Sequence, residues 1–130
     1  MTRAGQFRIN TAPLSNGASL AAVNAATTVD CEGAASALVQ VLSATSLTGC
    51  TLVFEGRMSG GSTPWIVLNA VATNGTSKTT AIAVTPTLTG VPTNGWIVSL
   101  HGCVEFRVRV SAITTGSLTV GIRITDVPHG

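Results

Sequence analysis

Tyrosine is absent from this chain of 130 residues, lysine occurs once at Lys78, and only 9% of residues are charged, against about 25% in an average soluble domain. Charge this sparse leaves Thr, Ser, Asn, Gly and Ala to cover the outside. Such a surface has little electrostatic protection against association, so much of it is expected to lie against neighbouring subunits. The net charge of +2 comes from basic residues scattered without a run, which argues against nucleic acid as a partner. No run approaches the eighteen or so apolar residues that span a bilayer, so no membrane partner is expected. The N-terminal stretch has no continuous apolar segment, being interrupted by Asn16, Gly17, Ser19 and Asn24. It makes a poor signal peptide, and folding in a cytoplasm is expected.

Reactive residues are equally few. Nucleophilic catalysis needs a Ser, Cys or Thr beside a base, usually His. Only His101 and His129 exist. His101-Gly102-Cys103 invites a Cys–His dyad, but no orienting group follows, and a turn or strand-edge His is the expected role. Asp30, Glu32, Glu55, Glu105 and Asp126 suit strand ends or exposed strand faces better than paired glycosidase carboxylates. Asp30 and Glu32 flank a turn without the spacing of a calcium loop, and Gly60-Gly61 precede no helix that could cradle phosphate. No catalytic residue, metal site or cofactor is expected. Cys31, Cys50 and Cys103 form an odd set without C-x-x-C spacing. Small buried thiols are expected, with a Cys31–Cys103 or Cys31–Cys50 bridge after release into an oxidising medium as the alternative.

What is plentiful is Thr, Ala and Val in short alternating runs. A single domain of about seven or eight strands is expected, with breaks at Gly, Asn and Pro. Strands are read at Asn24–Asp30, Ala37–Leu42, Thr51–Arg57, Trp65–Val71, Thr80–Val84 and Trp96–Leu100, with SATSLTGC as a loop. In EFRVRVSAITTGSLTVGIRIT (Glu105 to Thr125), Phe106, Val108 and Val110 alternate with Arg107 and Arg109, then Leu118, Val120, Ile122 and Ile124 with Thr119 and Arg123. This reads as a hairpin turned at Thr115-Gly116-Ser117, its apolar face packed on a second sheet. Glu105 is expected beside one or more of Arg107, Arg109 and Arg123. That arginine stripe is either a solvated face or a grip on a partner's carboxylate. Trp65 and Trp96 each open an apolar strand after a turn, where a core-edge role is expected; sugar stacking is the alternative. The fold class is thus an antiparallel β-sandwich, jelly-roll or immunoglobulin-like, over residues 21–130. Residues 1–20 form an extended N-terminal arm. Phe7, Ile9 and Leu14 give that arm something to bury on a neighbour, the alternative being a frayed terminus.

The order VDCEGAASALVQV (Val29 to Val41), TGCTLVFEGRMSGGSTPWIVLNAV (Thr48 to Val71) and TNGWIVSLHGCVEFRVRVSAITTGSLTVGIRIT (Thr93 to Thr125) resembles a β-sandwich module of tailed-bacteriophage and prophage virion proteins. The resemblance covers about residues 20 to 126, and its most specific elements are Phe54-Glu55-Gly56, Trp65, Asn94-Gly95 and the closing alternation. Cys50, Cys103 and the MSGGS turn depart from the family pattern. The resemblance implies a non-enzymatic protein that decorates the phage head. It would clamp neighbouring major capsid subunits, sit as a homotrimer on local threefold axes, and be assembled in the bacterial host cytoplasm. The alternative it implies is a tail-fibre or tail-tip module binding a host receptor or glycan. A lone module with an arm favours decoration.

Overall fold

Successive side chains of a strand point to opposite faces, so short alternating runs must stack as two layers with their apolar sides together. The computed structural model describes residues 15–31, 34–58, 61–75, 78–79, 81–84, 91–92 and 94–125. Among the described residues there are eleven strands and no helix. They are β1 (Ser15–Asn16), β2 (Ala26–Asp30), β3 (Ser36–Thr48), β4 (Cys50–Arg57), β5 (Ile66–Val67), β6 (Ala70–Ala72), β7 (Lys78–Thr79), β8 (Ala81–Val84), β9 (Trp96–Ser99), β10 (Glu105–Ala112) and β11 (Thr115–Thr125). One sheet runs β1-β11-β3-β9-β6-β7; the other runs β2-β10-β4-β5, with β8 also on β4. Every pairing is antiparallel.

The pairs β1–β11, β2–β10, β3–β9 and β4–β8 are nested one inside another. This is one long hairpin rolled into two sheets, the connectivity of a jelly roll. Of the two sandwich types expected, the pairing selects this one. These four pairs make the eight strands of the sandwich, as expected, and the short strands β5, β6 and β7 are inserted between β4 and β8 and extend the sheet edges.

The hairpin expected over residues 105–125 does not form within one sheet. β10 pairs with β2 and β4, whereas β11 pairs with β1 and β3, so the two lie in opposite layers. Phe106, Val108 and Val110 from one side and Leu118, Val120 and Ile122 from the other enter the same core, each at most 1% exposed. Alternation defines which face a strand buries but not which strand it pairs with, and turning the corner lets both apolar faces enter one interior. Ile113-Thr114 makes that corner, and the Thr114 amide donates to the Thr48 carbonyl at 3.1 Å. The expected turn residue Gly116 instead lies inside β11 at φ +88°, where the register against β3 shifts between Thr115 and Ser117.

Two further expectations are corrected. The stretch SATSLTGC is not a loop: β3 continues to Thr48, pairing Ala44 with Leu118 and Thr45 with Ser117. Ser and Thr suit a strand whose outer face meets solvent, and within the stretch only Leu47 and Cys50, the first residue of β4, are buried. The run WIVLNAV is not one strand but two, in different sheets. Ile66 and Val67 remain on the second sheet's edge, more than half exposed, before Leu68 and Ala70 turn inward.

Residues 15–20 of the expected arm lie along β11. Ser15 stands opposite Ile122, and Leu20, buried, exchanges backbone hydrogen bonds with Leu118 at 2.8 and 3.0 Å. Phe7, Ile9 and Leu14 lie outside the described residues. The three cysteines are free, buried thiols. Cys31 donates to the Cys103 carbonyl at 3.3 Å, and burial pushes the thiols of Cys50 and Cys103 up in pKa.

Candidate functional site: a charged ladder on one sheet face

The outer face of the second sheet carries a compact set of charged side chains, because Glu55 and Arg57 on β4 and Glu105, Arg107 and Arg109 on β10 alternate with core residues. Register places Arg57 opposite Glu105 and Glu55 opposite Arg107. Glu55 is buried, its side chain 8% exposed. Its Oε1 accepts from Arg107 Nε at 2.7 Å and from Arg109 Nε at 3.0 Å, and its Oε2 accepts from Arg109 Nη2 at 3.2 Å. Burial alone would push the Glu55 carboxyl up; the hydrogen bonds and charges of Arg109 and Arg107 outweigh it and hold the group below the ordinary carboxylate range. The Glu55 hydrogen bond in turn raises the pKa of the Arg109 guanidinium, against the opposing effect of burial.

Beside this triad, Arg57 donates from Nε to Glu105 Oε1 at 2.7 Å and from Nη1 to the carbonyls of Gly61 and Thr63 at 2.9 and 3.4 Å. Trp65, just before β5, ties the two groups together: the guanidinium carbons of Arg57 and Arg107 each stand 4.2 Å from its ring centre. Such contacts stabilise by about 0.5–2 kcal/mol. Gly56 sits beneath the ladder because the backbone there runs close to the core; a Cβ would come within 2.6 Å of Cys103 Sγ.

The expected arginine stripe is therefore split. Arg107 and Arg109 converge on Glu55, while Arg123 is exposed on β11 of the other sheet. Glu105 pairs with Arg57 instead of any arginine of that stripe, since their strands bring those two positions face to face. Trp96 has the expected core role, 6% exposed and 6.5 Å from the Phe54 ring, but Trp65 lies on the outer face. The grouping of Glu55, Arg57 and Trp65 with Arg107 escaped sequence reading. Its signal was the matched charge alternation of TLVFEGR and EFRVRV, which becomes a ladder only once β4 and β10 are known to pair.

His101 is exposed in a turn at φ +52°, while Cys103 is buried with its thiol pKa raised. A buried, protonated thiol and an outward imidazole do not make an activated nucleophile. Among the described residues no group of three His, Cys, Asp or Glu could hold a metal ion, and no helix is long and apolar enough to cross a membrane.

A scan against protein families finds no match, and neither does a search of curated proteins. Solved structures do share the fold. The SPBc2 prophage-derived protein YomS superposes with a TM-score of 0.56 at 14% identity, over 88% of this chain and 96% of that one. The PBSX exported protein XepA gives 0.58 at 19% identity over 95% of this chain, which spans only 42% of XepA. At these identities the likeness is one of fold. By name the first is prophage-derived and the second is an exported protein.

Proposed function

We propose that this chain is a structural protein of a bacteriophage particle, a decoration protein that binds the head shell and stabilises it by non-covalent contacts. The observation that carries this is the fold shared with a prophage-derived protein, YomS, along nearly its whole length, and with the PBSX exported protein XepA. It agrees with the resemblance of residues 20 to 126 to phage virion modules. The described charged side chains add support: three arginines and two glutamates are engaged with one another and with Trp65. The partners are the major capsid protein and further copies of this chain, as a homotrimer on the outer surface of the virion, assembled in the host cytoplasm. Burying apolar area across shell seams supplies about 25 cal/mol per Å², and repetition over a symmetric lattice adds avidity.

A tail-fibre or tail-tip module is the second reading, and the partly exposed position of Trp65 on the outer sheet face favours it. Trp96 no longer does, being buried in the core. Quantitative mass spectrometry of purified particles separates the two. On the order of hundreds of copies per DNA-filled head is expected, as a lattice of equivalent sites requires. A handful confined to tails would replace decoration with the second reading, and none on any particle would refute both.

A further inference from the structure

One row of side chains runs across the outer face of the second sheet. Val67 stands opposite Glu55, Glu55 opposite Arg107, and Arg107 opposite Thr28. Cross-strand partners share a face, so the buried carboxylate is flanked by Val67, 54% exposed, and on the other side by Arg107 and the exposed Thr28. Arg107 is held at two points, Nε on Glu55 and the guanidinium carbon over Trp65. Its neighbours have both terminal nitrogens engaged: Arg57 on Gly61, Thr63 and Glu105, Arg109 on Asn24 and Glu55. Among the described residues, Nη1 and Nη2 of Arg107 have no partner.

Charge points the same way. Glu55 sets one negative charge against two guanidiniums, and Glu105 is taken by Arg57. Within the triad the positive charge exceeds the negative by one, and Arg107 is the arginine whose terminal nitrogens carry no partner among the described residues, although Asp30 and Glu105 on the same face bring the formal charge of the whole ladder into balance. One row away Glu105 and Asp30 face each other across β10 and β2, which disfavours a dianion. A planar monoanion satisfies both conditions.

We propose that this face is a docking site for an Asp or Glu side chain of a partner protein. The carboxylate lies on Nη1 and Nη2 of Arg107, with the Thr28 hydroxyl as a further donor and Val67 and Trp65 as an apolar border. A sugar acid would bring hydroxyls to a border that offers them little. The inference deepens the proposed adhesive role by naming what the chain grips.

The test is a titration of the isotopically labelled full chain, following the Arg107 Nε–H and Trp65 indole N–H resonances. The probes are acetyl-Leu-Glu-Val-amide, its Gln counterpart, glucuronate and inorganic phosphate. Saturable shifts are expected with the Glu peptide, and at least about tenfold weaker binding with the Gln peptide, as loss of a charge-assisted contact implies. Arg107→Lys keeps the charge and loses the fork; a similar tenfold loss is expected, with amide shifts confined to the residues around Glu55 and Trp65 and the rest of the spectrum showing the same fold. Equal binding of the Gln peptide, tighter binding of glucuronate or phosphate, or an unaffected R107K would overturn the site. Binding to purified heads separates the two claims. A chain that ignores heads while the titration behaves as stated removes the virion role and keeps the site. R107K binding heads as tightly as wild type removes the site and keeps the role.

Discussion

At Glu55 two opposing effects act on one carboxyl group. Desolvation favours the neutral acid, while hydrogen bonds and charge from Arg109 and Arg107 favour the anion and win. A carboxyl with a lowered folded-state pKa contributes stability that is complete above its unfolded value of about 4.3. That contribution is lost as pH falls through the lower folded value. Glu55→Gln should therefore cost about 2–3 kcal/mol near neutrality, and the gap to wild type should close as pH drops below about 4. Urea midpoints of both proteins across that range check the sign; a constant gap would mean that the ion pairs contribute nothing specific. Gly116 is a second residue whose identity is dictated. At φ +88° an added Cβ is strained, and it would also collide with the carbonyl oxygens of Thr45 and Ser46. Gly116→Ala is expected to destabilise by about 2–4 kcal/mol, strain and overpacking together, whereas the same change at exposed Gly75, with open space around its Cβ position, should be nearly silent in thermal melts.

Among the elements, the edge formed by β1 is the one whose loss separates folding from binding. Removing residues 1–14 leaves every described contact in place, including the Ser15–Ile122 pairing and the Leu20–Leu118 bridge. Removing residues 1–20 deletes Leu20, a core residue, and uncovers the β11 edge. The shorter truncation should keep the wild-type denaturation midpoint and, on the proposed role, lose head binding. The longer one should lose about 2–5 kcal/mol from the missing Leu side chain and associate through the open edge. Chemical denaturation with light scattering distinguishes them. Elements were legible in the sequence wherever alternation is strong: β2, β4, β9, β10 and β11 fall within two residues of their expected strands or inside the expected run. β3 was truncated because Ser43, Thr45 and Thr48 look like loop residues until β11 is seen to need partners for them. Pairing was the illegible part. Nothing local in EFRVRVSAITTGSLTV says that its halves belong to different sheets, so the ladder that depends on β4 meeting β10 was hidden with it.

For the whole molecule, the nested pairing has a mechanical consequence. Each strand of the rolled hairpin is held by partners distant in sequence, β1 by β11 and β2 by β10, so peeling one end requires breaking contacts made by the other. The proposed role, a clamp on a pressurised shell, calls for a body that resists such peeling. Binding to the intact lattice and not to its separated subunits stabilises the lattice by mass action. On the proposed role, heads stripped of this chain should release DNA at a lower temperature than native heads, and adding back the purified chain should restore the release temperature in a concentration-dependent way. R107K should restore it only at higher concentration, because it still folds but grips less firmly. Dye-monitored DNA release during heating reads all three. If stripped and native heads release DNA at one temperature, the chain bears no load in the shell, and the tail reading becomes the better account of a rigid sandwich with an arginine and a tryptophan on its outer face.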